Sequence, residues 1–225
     1  MLRSFSRVIN VGHRPTLSTS FAKRGLQGLV VGVPKESLPG EERVAMTPTL
    51  AAKLIKNGAT VKIQEGAGMG SGYSDELYKA AGAEVVPKSE AFKAEVVLKV
   101  RPPSLEEAKL VENRNLMSIV QPRVNTELVD QLIKQKATVF SMDTLLRTLS
   151  RGQSYDVLSS QANIAGYRAV IEGANYMQRP FAGQMTAAGK VAPAKVLVVG
   201  AGVAGLAAMQ LAKKKGAMVF GFDVR

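Results

Sequence analysis

The sequence predicts an α/β protein with two doubly wound parallel-sheet domains, the second of which ends after its first β-α-β unit. Two observations lead to this fold class. From residue 29 onward, apolar stretches of strand length alternate with helical patterns, which is typical of parallel sheets covered by helices. Near residue 200, a glycine-rich turn follows an apolar strand and precedes a helix. The length of 225 residues allows one or two domains.

The first α/β domain is predicted to span residues 29–150. Thr47 and Pro48 have the chemistry of an N-cap and a first helical residue, and Asn57-Gly58 should end that helix. The glycine-rich stretch 65–71 is irregular and is interpreted as a loop. The expected strands are 29–34, 60–64, 83–86, 96–100, 116–120 and 138–141, and the expected helices are 50–56, 75–81, 105–112 and 126–135.

Residues 151–192 are predicted to form a loop, an interdomain helix and a connector. The polar stretch 147–156 precedes a long helix from Val157 to Met177, and Arg179–Pro193 forms the connector. The helix should present an apolar stripe made of Ile164, Tyr167, Val170, Ile171 and Ala174.

Residues 193–225 are predicted to form an incomplete Rossmann domain that binds NAD. The apolar run 196–199 suits a strand buried on both faces. Gly200, Gly202 and Gly205 then give the pattern G-x-G-x-x-G. These glycines would allow a tight turn, close approach of a pyrophosphate, and close packing of the helix on the strand. The start of the helix, at Val203, would offer free N–H groups to the phosphates.

The carboxylate of Asp223 is expected to meet the adenosine ribose. It follows a second apolar strand, 217–222, and Gly216 marks the end of the helix from Val203 to Lys214. An aspartate there favours NAD(H), since a 2′-phosphate would face a like charge, although a nearby arginine such as Arg225 can accommodate that phosphate. The alternative is a β-α-β unit whose glycines only make turns.

Composition excludes several classes of protein. The formal net charge is +12, but the cations are spread along the chain without interleaved aromatic residues, so no nucleic-acid partner is predicted. The chain has no cysteine and one histidine, so neither disulfides nor a metal site is expected. No apolar run has the 18 or more residues that a membrane-spanning helix requires.

Residues 1–28 have the composition of a mitochondrial-type targeting segment. They contain five arginine or lysine residues and no acidic residue, and serine and threonine are abundant. Leu2, Phe5 and Ile9 lie at helical spacing, with Arg3 and Arg7 on another face. We expect cleavage after import between about residues 20 and 30; a disordered basic tail is the alternative.

Seven stretches of the sequence carry a family resemblance. They are 31–36 (VGVPKE), 42–48 (ERVAMTP), 95–101 (EVVLKVR), 153–156 (QSYD), 158–170 (LSSQANIAGYRAV), 183–190 (GQMTAAGK) and 200–223. They resemble the NAD(H)-binding domain of proton-translocating NAD(P) transhydrogenases, within the alanine dehydrogenase/transhydrogenase superfamily. The resemblance covers residues 29–225 and is most specific after residue 150.

The resemblance implies an enzyme that passes hydride between NADH and NADP⁺. It implies that NAD(H) binds here and that NADP(H) binds on a partner domain. It further implies coupling to proton movement through a membrane domain, a homodimer, and a location on the matrix side of the mitochondrial inner membrane. The 225-residue chain by itself is then expected to be inactive.

A loop that positions the nicotinamide is also implied. Gln153 and Asp156 match the family's glutamine and aspartate, and Ser159 matches a nearby serine. The family's arginine would fall at Thr148, so Arg147 and Arg151 are the candidates, and Arg147 completes the predicted catalytic set. The predicted cofactor-binding residues are Gln153, Ser154, Tyr155, Asp156, Ser159, Gly200, Gly202, Val203, Gly205, Asp223, Val224 and Arg225. The alternative is that Gln153 and Asp156 merely cap the following helix.

Two other functions are compatible with the sequence. Arg43 and Lys99 match substrate-binding residues of alanine dehydrogenases, which would make the chain an amino acid dehydrogenase. That family uses a histidine as acid and base after the strand at 116–120, where this chain has Gln121, and its one histidine is His13. The other alternative is an inactive NAD-binding fragment that serves as a binding or assembly module.

Overall fold

The structure is a computed structural model and describes residues 26–146, 148 and 150–224. Most of the predicted targeting segment, together with Arg147 and Arg225, lies outside the described residues. The chain divides into two compact units. Among the described residues, the first unit comprises those up to Leu116 with Gln131–Thr138, and the second comprises Met117–Asp130 with those from Val139 onward. The domain limits at residues 28, 150 and 192 remain predictions.

Strands and helices alternate along most of the described chain. The strands are β1 Val30–Val33, β2 Thr60–Gln64, β3 Glu84–Val86, β4 Val96–Leu98, β5 Asn115–Ser118, β6 Thr138–Ser141, β7 Gln184–Thr186, β8 Gly189–Val191, β9 Lys195–Val199 and β10 Met218–Phe222. The helices are α1 Pro48–Lys56, α2 Asp75–Ala80, α3 Lys88–Phe92, α4 Leu105–Ala108, α5 Thr126–Lys134, α6 Val157–Tyr176 and α7 Val203–Lys214.

The predicted parallel α/β architecture is confirmed. The main sheet has the order β3-β2-β1-β4-β5-β6, and β1 pairs in parallel with both β2 and β4. This order reverses direction between β1 and β4, as it does in doubly wound folds. In the second unit, β9 and β10 pair in parallel, while β7 and β8 form an antiparallel hairpin.

The start of α1 shows how local chemistry determines an element. Thr47 has an extended backbone, and its side chain accepts a hydrogen bond from the Leu50 N–H. Pro48 is the first helical residue, where its missing N–H costs no hydrogen bond. Gly58 follows the helix with a φ of 95°. The predicted helix start at Thr47-Pro48 and the stop at Asn57-Gly58 are therefore confirmed.

Two elements were not predicted, because their signals are weak in the sequence. Helix α3 has only five residues, too few for a periodic pattern, yet it packs closely on β1. A Cβ atom on Gly32 would lie 1.9 Å from the carbonyl oxygen of Ala91, so this strand position requires glycine. The β7–β8 hairpin lies in the stretch interpreted as a connector, and its strands have three residues each.

Helix α4 is shorter than predicted. It ends at Ala108, although the pattern indicated a helix to residue 112. Ser104 and Glu107 form a capping box at its start, but Leu110 and Val111 already donate hydrogen bonds three residues back. Those bonds make a tight turn instead of a continued α-helix.

Two burial predictions in the second unit are wrong for the described residues. Residues 196–199 were expected to be buried on both faces, but Leu197 and Val199 are 67% and 76% exposed, because the described helices cover only one face of this sheet. In α6, Ile164 and Tyr167 of the predicted stripe are exposed. The buried residues of that helix are Gly166 and Val170.

A carboxylate paired with two arginines stabilises the loop after β1. Glu41 accepts hydrogen bonds from Nε of Arg43 at 2.7 Å and Nε of Arg101 at 2.9 Å, and its side chain is 6% exposed. The bonds from Arg43, followed by that from Arg101, lower the pKa of Glu41 to about 2, against the opposing effect of burial. This ion pair connects the loop to the residues that follow β4.

We expect the Glu41 cluster to make the free energy of unfolding depend on pH. Because the folded pKa lies below the unfolded value, the stabilisation is present above about pH 4.5 and is lost as the pH falls to about 2. The loss should be on the order of 3 kcal/mol. Urea unfolding of Glu41→Gln should show a correspondingly flatter pH dependence than the unchanged protein.

The matched control is Glu106→Gln, which makes the same change in net charge at a carboxylate that is 82% exposed and forms only a weakly stabilising surface ion pair with Lys109. Parallel pH curves for Glu41→Gln and the unchanged protein would contradict the assigned role of Glu41.

Candidate functional site

The turn between β9 and α7 is built by three glycines, each for a different physical reason. Gly200 has a φ of 99°, which L side chains rarely adopt. Gly205 lies so close to the turn that a Cβ atom on it would be 1.8 Å from the carbonyl oxygen of Gly200. Gly202 is the N-cap of α7, and its carbonyl accepts from the Leu206 N–H at 2.8 Å.

At Gly202, neither the backbone conformation nor the surrounding atoms of the described chain require a glycine. Its φ of −72° is accessible to any residue, and a Cβ atom there would meet nothing within 4 Å. A glycine in open space at the start of a helix is what the close approach of a pyrophosphate requires. The start of α7 is open at Gly202, and its contact with a pyrophosphate remains a prediction.

The carboxylate of Asp223 lies against this turn. Its Oδ2 accepts a hydrogen bond from the Ala201 N–H at 2.5 Å, and the Gly200 N–H donates to the Phe222 carbonyl at 2.7 Å. This hydrogen bond holds the carboxylate next to the glycine turn. The second strand thus brings Asp223 next to the glycine turn, and its contact with an adenosine ribose remains a prediction.

Asp156 caps helix α6. Its Oδ1 accepts from the Ser159 N–H at 2.9 Å and its Oδ2 from the Ser159 Oγ at 2.6 Å. Gln153, Ser154 and Tyr155 precede it in a short 3₁₀ turn, Gly152–Tyr155, and all three side chains are exposed. The capping role that was weighed as an alternative for Asp156 is therefore present, and it leaves a role for the exposed Gln153 open.

The predicted site residues fall into two groups in the second unit. Gly200, Gly202, Val203, Gly205 and Asp223 surround one turn. The residues from Gln153 to Ser159 lie at the start of α6 instead. Val224 is exposed, as are Arg151, the other arginine candidate, and Thr148, where the family's arginine would fall. The predicted contacts of Arg147 and Arg225 lie outside the described residues.

The sequence analysis missed the contact that joins these two groups. A Cβ atom on Gly166, in the middle of α6, would lie 2.0 Å from the carbonyl oxygen of Ala204 in the first turn of α7. A glycine inside a helix destabilises it by about 1 kcal/mol relative to alanine. A glycine within a helical pattern can therefore be recognised in the sequence as a candidate position of close packing. The sequence does not reveal which partner requires it.

In the first unit, charged side chains lie just after the carboxyl ends of β1 and β4 and pair with one another. Nζ of the buried Lys99 lies 3.4 Å from Glu36 and 3.2 Å from Glu107. Glu36 also accepts from the Val100 N–H at 2.6 Å, and Lys88 pairs with Glu107 at 2.8 Å. Burial would raise the pKa of Glu107, but the hydrogen bond from Lys88 and the charge of Lys99 lower it. Lys99 is thus held by ion pairs.

Gln121 occupies the place where alanine dehydrogenases have a histidine. It has a φ of 52°, and its N–H donates to Asp143 Oδ1 at 3.3 Å beside a cavity of about 460 Å³. Burial would raise the pKa of Asp143, but hydrogen bonds from Ser141 and the Gln121 backbone lower it. Asp143 therefore stays ionised near neutral pH and is a poor proton donor.

The described residues contain neither a candidate metal site nor a candidate membrane-spanning helix. Residues 26–146, 148 and 150–224 contain no group of three or more histidine, cysteine or acidic side chains suited to a metal ion. None of the helices in this part of the chain combines the length and hydropathy needed to cross a bilayer.

Together, the parallel sheets and the glycine turn define an α/β protein with a dinucleotide-type β-α-β unit. Residues 32–165 match the family described as alanine dehydrogenase/PNT, N-terminal domain, and residues 169–225 match the corresponding C-terminal domain. The chain belongs to the alanine dehydrogenase/PNT family.

Its similarity to individual proteins is greater for transhydrogenases than for alanine dehydrogenases. The chain is 53% identical over 198 residues to the NAD(P) transhydrogenase subunit alpha of Cereibacter sphaeroides, covering 87% of this chain and 38% of that subunit. A transhydrogenase structure from Sinorhizobium meliloti superimposes with a TM-score of 0.84 at 43% identity, covering 87% of this chain and 59% of that one.

An L-alanine dehydrogenase structure gives a TM-score of 0.78 at 32% identity, covering 88% of this chain and 55% of that one. The chain spans between 38% and 53% of the length of the transhydrogenase alpha subunits it matches. Similarity alone therefore does not assign the activity of those longer proteins to this chain.

We expect the capping hydrogen bonds of Asp156, and not its negative charge, to account for most of its contribution to the free energy of unfolding. Asp156→Ala should lower the free energy of unfolding by about 1 kcal/mol through loss of the N-cap, which corresponds to roughly 4–8 °C in the melting temperature of a unit of about 100 residues. Asp156→Ser retains a capping oxygen and should restore most of this loss in a thermal melt. Equal losses in both variants would show that the carboxylate stabilises the helix by its charge instead.

Proposed function

We propose that the chain is the NAD(H)-binding part of a proton-translocating NAD(P)⁺ transhydrogenase. In this role it holds NADH while hydride passes to NADP⁺ on a partner domain of the same enzyme. The single observation that carries the proposal is the turn at Gly200–Gly205, where the open space at Gly202 and the carboxylate of Asp223 suit a dinucleotide. The 53% identity to a transhydrogenase alpha subunit supports the choice of reaction.

The phosphate end of NAD(H) is assigned to the start of α7. The first N–H groups of a helix lack partners within the helix and favour anions, so those of Gly202, Val203 and Gly205 would face the pyrophosphate. Asp223 would accept a hydrogen bond from the adenosine ribose. Its negative charge would disfavour the 2′-phosphate of NADP(H).

The nicotinamide end is assigned to the segment before α6. Gln153 has one amide donor and one acceptor, which can hold the carboxamide of the ring, and its side chain is exposed for such a contact. Asp156 would orient this segment, with Arg147 as its proposed partner. Bound NAD(H) would supply the hydride chemistry, and the chain would supply orientation and exclusion of water.

The proposal also specifies what surrounds the chain in the cell. An NADP(H)-binding domain, a proton-translocating membrane domain and a second copy of the chain would complete the enzyme. The acid-free basic composition of residues 1–28 supports import into the mitochondrion and a position on the matrix side of the inner membrane.

An amino acid dehydrogenase is the alternative enzyme. Against it, Lys99 and Arg43 are engaged in ion pairs. Gln121 cannot exchange protons near neutral pH, and the lowered pKa of Asp143 makes it a poor proton donor there. Steady reduction of NAD⁺ with alanine would support this alternative. An inactive NAD-binding fragment would instead bind NADH and support no transfer with any partner domain.

Substitution of Asp223 tests the cofactor assignment. Asp223→Ala should weaken NADH binding by roughly ten- to hundredfold, since hydrogen bonds to a charged group contribute about 1.5–3 kcal/mol. The preference for NADH over NADPH should narrow at the same time. Fluorescence titration of both cofactors, on the longest natural form of the protein, measures these changes.

Asp223→Asn is the matched control, because it keeps an acceptor oxygen for the Ala201 N–H while removing the charge. It should improve NADPH binding relative to NADH with a smaller loss of NADH affinity than Asp223→Ala. Equal affinity of the unchanged protein for NADH and NADPH would contradict the role given to Asp223.

Substitution of Gln153 tests the nicotinamide assignment. With an NADP(H)-binding partner domain present, Gln153→Asn should slow hydride transfer by about a hundredfold while changing NADH affinity little, because a small misplacement at a reacting centre is costly. Stopped-flow transfer between NADH and an NADP⁺ analogue gives the rate, and titration gives the affinity.

The control is Gln178→Asn, the same change at an exposed residue after α6, and it should leave both quantities unchanged. If Gln153→Asn lowers rate and affinity equally, the segment only binds NADH. If it alters neither, the assignment of Gln153 is wrong.

A further inference from the structure

Gly166 is a glycine in the middle of a long helix, a position that normally favours alanine. It is one of two buried residues of α6, the other being Val170 one turn later. Glycine in a helix interior costs about 1 kcal/mol relative to alanine because it loses more backbone freedom on folding. Some property of its surroundings must therefore require the absence of a side chain.

The surroundings of Gly166 consist of the backbone of α7. A Cβ atom on Gly166 would lie 2.0 Å from the carbonyl oxygen of Ala204, 2.7 Å from its carbonyl carbon and 2.9 Å from its Cα atom. The three nearest atoms all belong to the backbone, so no rotamer change could relieve this overlap. Any side chain at position 166 must move one helix away from the other.

The contacted peptide group belongs to the first turn of α7. The Ala204 carbonyl and the Gly205 N–H share one rigid planar peptide unit, so they move together. On its other side, Gly205 is confined by the carbonyl oxygen of Gly200, which a Cβ atom on Gly205 would approach to 1.8 Å. The Ala204–Gly205 peptide is thus confined between α6 and the glycine turn.

We propose that Gly166 is a positioning residue for the dinucleotide site. By letting α6 touch the Ala204–Gly205 peptide directly, it fixes the direction of the N–H groups that start α7, which are those assigned to the pyrophosphate. The inference rests on the proposed function, because it concerns how the same site is held in place.

Helix α6 extends this effect to the other end of the dinucleotide. It begins at Val157, directly after the segment that contains Gln153 and Asp156. Gly166 lies nine residues further along, which is about 14 Å of helix. One rigid element therefore connects the segment assigned to the nicotinamide with the turn assigned to the phosphates, and its distance from α7 is fixed at Gly166.

The test is the dissociation constant of NADH for Gly166→Ala, measured by titration on the longest natural form of the protein. We expect it to rise roughly tenfold or more, as for a misdirected hydrogen bond to a charged phosphate. Gly173→Ala makes the same change in the same helix, where a Cβ atom would meet nothing within 4 Å. It should leave NADH affinity unchanged and the melting temperature equal or higher.

A second pair of variants distinguishes displacement of α7 from a general loss of protein stability. Val170 is buried beside Ala208, Leu211 and Ala212 in the core between α6 and α7. Val170→Ala should lower the melting temperature by creating a cavity, yet keep NADH affinity within about twofold, because nothing pushes the helices apart. Val170→Leu adds volume at this contact and should weaken NADH binding even if Gly166→Ala fails to fold.

The outcomes distinguish this inference from the proposed function. If the unchanged protein binds no NADH, the proposed function fails, and the inference fails with it. If the unchanged protein binds NADH, and Gly166→Ala and Val170→Leu lower the melting temperature without weakening NADH binding, Gly166 is a packing residue only and the inference alone is wrong.

Discussion

Direct contact between backbone segments determines the geometry of the second unit. The peptide group between Ala204 and Gly205 lies between Gly166 of α6 and the carbonyl oxygen of Gly200, and neither side leaves room for a Cβ atom. Such contacts tolerate little adjustment, because backbone atoms cannot change rotamer and protein interiors are close-packed. The position of the helix start, and hence the direction of its free N–H groups, depends on three glycines in addition to the side chains packed between α6 and α7.

The two units have parallel strands in common but differ in the residues that follow the carboxyl ends of those strands. Doubly wound folds commonly bind ligands beyond the carboxyl ends of strands such as β1 and β4, and in the first sheet Lys99 forms ion pairs there with Glu36 and Glu107. Removing one member would leave a buried charge without its partner, so these ion pairs resist rearrangement. In the second unit, the equivalent place is a glycine turn with open space at Gly202. This contrast agrees with the proposed binding of the dinucleotide at the glycine turn of the second unit.

Sequence reasoning succeeded where structure is determined locally. The cap at Thr47-Pro48, the bounds of α7 and the glycine turn all depend on residues that are neighbours in the chain. It failed where distant segments decide. Ile164 and Tyr167 fit a helical period but are exposed, while Gly166 is buried because α7 passes over it. The buried partners of Lys99 are separated from it in sequence and could not be read from spacing. For the candidate site, the turn was predictable, but the helix contact that holds it was not.

The contact of Asp223 with the turn bears on how cofactor preference would arise. Its carboxylate is held by the Ala201 N–H, within the glycine turn itself. A freely rotating carboxylate could swing away from a 2′-phosphate, but one that is bound to the backbone cannot do so without losing a hydrogen bond. In the proposed function, discrimination between NAD(H) and NADP(H) therefore depends on the same backbone geometry that receives the pyrophosphate. A change that shifts the start of α7 would alter affinity and preference together.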